Sequence, residues 1–530
     1  VTELLNIWSG LEGGNATECP SGTGALEIFG YTGSQSHDYD DVVELFVHTT
    51  APRFTIEIVN ETGALRTVAV MDDLPGREQV TNEDPTVNGC GWTDPVLLRP
   101  TDEWGTGAFV VLLHAERDGE TITREAFFVR RPRAGEEKRL VMILTTGTWQ
   151  AYNDWGRGNH YRSVEDGIST DNPIPEVSRM RPWARGFIRH PAEAPRHSDV
   201  PDLPIGAHPP YGWLRWAIDN GYSRHYSDAG WAHYERPFAK WLYENGYEFD
   251  ILTQDDLHFR SDSLDAYGVA LLVGHDEYWS WEMRDTIDAF QDRGGRLARF
   301  GGNMIWQIRI EDNGTRQICY RISEIDPAAA TNPRRASTHW DSLHIDRPAA
   351  NTFGLSGLWG CYHRFGLCSP RSPAGYTIYR PDHWCLEGTD LRYGDVFGAG
   401  ESRILSFEVD GLDYTFRYGL PYAVGTEGSP QSLQIVALAP AASGEPVDTG
   451  KMVNAPIAEV MAVLEAEPSI YPRPPESRAY GSAVMASYSR GLGEGFNSGC
   501  CEWVSGLIRH DQSVCRITRN VLDRFLNKGN

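Results

Sequence analysis

Two hydrophobic periods divide the chain. Between residues 25 and 130, apolar and polar positions alternate in twos, over 25–31, 42–48, 54–59, 65–71, 108–114 and 122–130. Clusters of Gly, Asp, Asn and Pro separate these runs. Short alternating strands at this spacing predict an immunoglobulin-like β-sandwich over residues 1–135. The polar, turn-forming stretch 131–138 (RPRAGEEK) is the predicted domain boundary.

Beyond it the apolar runs become continuous, at 140–144 (LVMIL), 249–252, 269–273 and 296–300. Runs of this kind are strands covered on both faces, as in a parallel sheet. Helical patterns fall between or after them, over 213–221, 233–245, 280–292 and 511–526. Ser280 caps the third of these and Gly294-Gly295 stops it. The alternation predicts a parallel-sheet, Rossmann-like α/β domain over 136–530. A Gly/Tyr/Trp-rich insertion interrupts it at about 325–400, a strand is expected at 483–488, and 495–503 (GFNSGCCEW) reads as turns. Tyr152, Glu277 and Asn303 each follow a predicted strand, so all three are expected on one carboxyl-end rim, where open α/β sheets bind ligands. No GxGxxG follows a strand, which argues against a dinucleotide.

At 530 residues the chain exceeds a single core. Its net charge of -25 excludes nucleic acid and anionic membrane surfaces as partners. The acidic, lysine-poor surface reflects genomic composition or salt adaptation. No apolar run is long enough to span a membrane, and the N-terminus shows no basic segment followed by an apolar one, so a soluble cytoplasmic protein is expected. Nine cysteines without a CxxC pair suit reduced thiols rather than disulfides or a zinc site.

The candidate chemistry is concentrated in 269–280, VALLVGHDEYWS. His275, Asp276 and Glu277 directly behind a buried strand are hard to explain as solvated surface. Read alone, Tyr152 could equally pack with its hydroxyl satisfied nearby, His275 could be bonded to a carbonyl, Asn303 could serve a turn, and Glu427 could be an ordinary loop carboxylate. Cys500-Cys501 lacks the strand-turn-helix elbow of a nucleophile.

The motifs TTGTWQAYNDWG, GHDEYWSWEMRD, GGNMIWQ, YTIYRPDHW, YGDVFG and ITRNVLDRF occur in this order from Thr145 onward. Together they resemble the large subunit of N,N-dimethylformamidase and its relatives, although no extra lectin-like region is found. The resemblance implies a glutamine-amidotransferase-like α/β domain behind a β-sandwich. It also implies a mononuclear iron centre, Fe(III) by its donors, held by two tyrosines and a glutamate. Glu277 and Tyr152 match ligand positions. The second tyrosine is expected at Tyr211, with Tyr161 and Tyr226 as alternatives, because one candidate position holds Trp183. His275, Asn303 and Glu427 match pocket residues, while Arg321 stands where lysine is expected. The implied reaction is hydrolysis of a small N-substituted amide, N,N-dimethylformamide to dimethylamine and formate, in a hetero-oligomer with a small helical subunit.

Phenolate and carboxylate oxygens are hard donors that suit Fe(III). His275 could place water or protonate the leaving nitrogen, Glu427 could relay the proton, and Asn303 could bond the oxyanion. Two rivals are a metal-independent thiol or serine hydrolase on the same fold and a non-catalytic binding scaffold.

Overall fold

A computed structural model describes residues 18–165, 168–170, 172–199, 212–362, 374–442, 466–470 and 480–527. The chain is mixed α/β and carries several β-sheets.

The first layers come from strands β1 (Ile28–Thr32), β2 (Ser36–His37), β3 (Val43–Thr49), β4 (Arg53–Asn60), β5 (Arg66–Pro75), β6 (Val96–Leu98), β7 (Gly107–Arg117) and β8 (Glu120–Arg130). They form a three-stranded sheet, β1-β3-β6, and a five-stranded one, β2-β8-β7-β4-β5. Ile28, Val43 and Leu45 of the first sheet share a core with Ile56, Ile58, Phe109, Val111 and Leu113 of the second. Strand β7 departs from a simple inside-outside alternation, because its first seven residues are all buried. Its second face, with Phe127 and Val129 of β8, packs into the core of the following region. Phe127 meets Trp149 edge-on at 5.4 Å and lies 5.6 Å from Trp231. Arg131 ties the layers together, donating to Asp256 at 2.7 Å and pairing with Asp38.

The second region is built on strands β9 (Leu140–Leu144), β10 (Phe249–Thr253), β11 (Val269–His275), β12 (Arg296–Gly302), β13 (Tyr376–Ile378), β14 (Val396–Phe397), β15 (Glu408–Gly411), β16 (Gln434–Ala442), β17 (Tyr480–Arg490) and β18 (Gly493–Asn497). All but β15 join one nine-stranded sheet, ordered β10-β9-β11-β12-β18-β17-β16-β13-β14. Strand β15 instead pairs with residues 361–362.

The sheet expected to be parallel is parallel over five strands, β10 to β18, and antiparallel over the remainder. Strand β18 falls where turns were expected, since GEGFN carries glycines. The glycine is demanded by packing: a Cβ on Gly495 would lie 2.2 Å from the Tyr488 ring on the neighbouring strand. The 233–245 pattern resolves into a π-helical turn, Trp231–Glu235, and then helix α1 (Arg236–Glu244), which carries Pro237 in its first turn. Helix α2 (Trp281–Asp292) is capped by Ser280, whose side chain accepts from Met283 N at 3.2 Å. Helix α3 (Gln512–Leu526) is capped by Asp511, which accepts from Ser513 N and Val514 N. The seven described cysteines that can be assigned are unpaired. No helix among the described residues is long and apolar enough to cross a membrane.

Candidate active site

The site assembles where the parallel strands end. Strand β9 runs directly into a short helix, Thr146–Tyr152, buried throughout. Its start is fixed by Glu235, whose Oε1 accepts from Thr145 Oγ1 at 2.9 Å and Trp149 Nε1 at 3.0 Å. This helix delivers Tyr152. In β11, Gly274 has φ +72°, and a Cβ there would lie 2.3 Å from the Tyr234 ring, so only glycine lets the chain turn beneath it. His275 ends the strand and Glu277 follows it by two residues. Asn303 follows β12 in a left-handed conformation, φ 68°, which asparagine tolerates.

Glu277 is the point of convergence. Its Oε2 accepts from Tyr152 Oη at 2.9 Å and Tyr161 Oη at 2.8 Å. Its Oε1 accepts from Trp306 Nε1 at 2.7 Å. The Tyr152 and Tyr161 rings stack 4.5 Å apart. Tyr278 Oη donates to Tyr161 Oη at 2.8 Å, and Arg321 Nη2 donates to Tyr278 Oη at 3.2 Å. The Arg321 guanidinium also lies 4.1 Å from the centre of the Tyr161 ring. Tyr161 is one of the two alternatives to Tyr211 that the sequence offers. It is brought onto Glu277, whereas Tyr226 donates instead to Pro195 O at 2.5 Å. Tyr211 lies outside the described residues.

A second pair adjoins the first. His275 Nε2 lies 2.8 Å from Glu408 Oε2 and 3.4 Å from Glu277 Oε2, while its Nδ1 donates to Asp228 O at 2.8 Å. Asn303 Nδ2 donates to Glu408 Oε2 at 2.6 Å and lies 3.1 Å from His275 Nε2. Asp276, between His275 and Glu277 in sequence, turns away to a fully buried bridge with Arg299, Nε to Oδ2 2.7 Å. Arg299 also pairs with Asp410.

Burial sets the electrostatics. It raises the Glu277 carboxyl to about 7, with His275 acting against the rise and Glu408 adding to it. Burial, and then the Glu277 charge, hold the Tyr152 and Tyr161 phenols well above their ordinary range. Burial alone would depress His275, but the Glu408 and Glu277 carboxylates outweigh it and lift the imidazole to about 9. The site therefore holds His275 as an imidazolium beside Glu408, and Tyr152 and Tyr161 as protonated phenols that donate to Glu277. Two phenols and a carboxylate on one point make a hard, anionic donor set once those protons leave, which fits a trivalent metal ion.

Two triples of His, Cys and carboxylate side chains among the described residues could also hold a metal: His275, Glu408 and Cys501, and His197, His233 and Glu502. In the first, burial holds the Cys501 thiol well above its ordinary range, and Glu408 already occupies His275 Nε2.

Glu427 is buried elsewhere. Its Oε2 accepts from Asp413 N at 3.1 Å, and its charge acts on buried Asp341. Glu408 was not singled out from sequence. In SFEVDG the two acids alternate with Phe407 and Val409, which reads as an ordinary strand with one solvent face, whereas the strand is buried on both faces, so the sequence carried no signal for Glu408.

A family model described as N,N-dimethylformamidase beta subunit-like, C-terminal, matches residues 62–514. N,N-dimethylformamidase beta subunits of Paracoccus aminophilus and Alcaligenes sp are 23% and 24% identical to this chain over 314 residues. Each alignment covers 54% of this chain and 36% of the relative, so the chain spans little more than a third of their length.

Proposed function

The chain belongs to the N,N-dimethylformamidase beta subunit-like family, and from that premise we propose that it hydrolyses small N-substituted amides, N,N-dimethylformamide to dimethylamine and formate first among them. The observation that carries this reading is the meeting of Tyr152 and Tyr161 hydroxyls on the Glu277 carboxylate. These three residues would hold one iron ion, Fe(III) by the hardness of their oxygens. When bound, the ion polarises the amide oxygen and lowers the pKa of water.

The remaining steps belong to the chain. Hydrolysis of a tertiary amide needs a proton at the departing nitrogen, since the free amide anion is a poor leaving group. His275, held on both ring nitrogens by Asp228 O and Glu408, is the group that carries that proton. The relay expected of Glu427 is assigned here to Glu408, because Glu408 is the carboxylate on His275. Asn303 orients Glu408 and turns its amide to the oxyanion as charge develops. Arg321 braces the Tyr161 ring and Tyr278 hydroxyl, the place where the family resemblance led us to expect lysine. Trp306 and Tyr278, both buried, pack around Glu277 and Tyr161 and keep them from bulk water.

We read 1–135, whose described part from residue 18 carries the two β layers, as an immunoglobulin-like domain that braces the Tyr152 helix through Phe127 and Trp149, and 136–530 as the catalytic domain. The relatives are named as beta subunits. This supports our reading that the chain works in a multi-subunit assembly; that the partner is a small helical subunit and the compartment the cytoplasm is our proposal from the family resemblance. The test is dimethylamine release from N,N-dimethylformamide by the native assembly, compared with Glu277→Ala. Turnover in the native assembly and none in the variant supports the reading; equal turnover in both overturns it.

A further inference from the structure

A second group of ligand-type side chains lies apart from the tyrosine centre. Three separate segments supply it: His197 from a 3-10 turn, His233 from the π-helical turn Trp231–Glu235, and Glu502 from the residue preceding the helix Trp503–Ile508. All three side chains are fully buried. His197 Nδ1 lies 3.3 Å from Glu502 Oε1, and His233 Nε2 lies 3.1 Å from the same oxygen. The three ligand atoms fall within 4.8 Å of one another. Two imidazole nitrogens and one carboxylate oxygen are the donor set of many zinc sites, with metal to ligand distances of about 2.0–2.2 Å.

The surroundings match those of a ligand set. The other ring nitrogen of His197, Nε2, donates to Asp228 Oδ1 at 3.0 Å, the carboxylate-histidine arrangement that orients a metal-binding imidazole. The second oxygen of Glu502 is engaged by Ser505 Oγ, which leaves Oε1 to face the histidines. Arg196 Nη2 donates to His233 O at 2.6 Å and lies 3.9 Å from Glu502 Oε2. Two buried polar atoms beside the group have no partner among the described residues, His233 Nδ1 and the Tyr234 hydroxyl. The rings that carry them are 4.5 Å apart.

We propose that His197, His233 and Glu502 bind a second metal ion, a divalent ion of the zinc class, distinct from the tyrosine-glutamate centre. Binding releases the proton that His197 shares with Glu502 and moves the His233 proton from Nε2 to Nδ1. Three protein ligands leave the ion a fourth position for water, and the role we assign to it is to position the chain. Asp228, which it would hold through His197, donates no proton but offers its backbone carbonyl to His275 Nδ1 and its Oδ2 to His225 Nδ1, 2.7 Å away. The second ion therefore fixes the segment on which the His275 ring rests.

The test is metal analysis of the purified full chain, with cobalt(II) exchange as the spectroscopic probe. Wild type retains about one zinc per chain after dialysis against a mild chelator, and Glu277→Ala retains it equally. Cobalt(II) added to metal-free Glu277→Ala protein gives visible d-d bands of a nitrogen- and oxygen-ligated site. Glu502→Gln loses both the zinc and the bands. A folded Glu277→Ala chain that holds neither zinc nor cobalt overturns the proposal, as does zinc retained in Glu502→Gln. Should Glu502→Gln fail to fold, the cobalt experiment decides alone. Absence of iron or of amide turnover leaves these zinc and cobalt results unchanged, so the two readings fail separately.

Discussion

Two buried carboxylates, Glu277 and Glu427, share a residue type and little else. Glu277 receives two phenols and an indole, with an imidazole 3.4 Å away. Glu427 receives one backbone amide, from Asp413, with weak support from Thr426 and Ser429, and the charge that acts on it is the neighbouring acid Asp413. Burial raises both carboxyls. What separates them is convergence. Glu277 stands behind the central parallel strand β11, where β9 and β12 end beside it and each delivers a residue to the same point. Glu427 sits in a loop between antiparallel strands, and nothing directs other donors toward it. Burial alone therefore marks a strained acid, whereas burial with convergent donors marks a site.

The comparison breaks first at its strongest point. Glu277→Ala is expected to abolish amide hydrolysis, while Glu427→Gln retains it, as measured by amine release. Should Glu427→Gln be as damaging as Glu277→Ala, the distinction fails. The next largest effect belongs to Glu408→Gln. Removing the charge on His275 is expected to lower kcat by roughly 10²- to 10⁴-fold, the range for loss of acid-base catalysis, with KM little changed. Steady-state kinetics with the folded variant checks this. Asn303→Ala is expected to cost roughly 10²- to 10³-fold in kcat, the range for one oxyanion donor.

The smallest effect is on stability and sharpens the other side of the comparison. Burial raises Asp341 from 3.8 to about 6, opposed by Ser356 and Arg284 and reinforced by Glu427. A carboxyl with a higher pKa folded than unfolded holds its proton more tightly in the folded chain. Stability therefore falls as pH rises from about 4 to about 6, by of the order of 3 kcal/mol, and levels off above. Asp341→Asn should remove that slope in denaturant titrations across the window. An unchanged slope would show that Asp341 ionises freely.

The difference between the two regions also explains what could be read in advance. The buried runs LVMIL and VALLV fixed two parallel strands and their carboxyl ends, because a fully covered strand has few alternatives in sequence. Tyr152 and Glu277 follow such strands directly, so their rim was legible. Tyr161 and Glu408 were harder. Tyr161 reaches Glu277 through an irregular loop without hydrophobic period, and Glu408 lies on a four-residue strand outside the main sheet. Strand β18 was hidden because its glycines, required by the Tyr488 ring, read locally as turns. The second face of β7 was hidden for a related reason: alternation records which positions are apolar, not that another layer covers the far side.

The most direct test of the tyrosine-glutamate centre is the iron content and visible spectrum of the purified chain, set beside Tyr161→Phe and Tyr226→Phe. The account predicts about one iron per chain, as its single three-oxygen donor set requires, with a phenolate-to-iron charge-transfer band. That band shifts and weakens in Tyr161→Phe and is unchanged in Tyr226→Phe. A colourless, iron-free chain that still cleaves amides, or a band lost in Tyr226→Phe and intact in Tyr161→Phe, would contradict it.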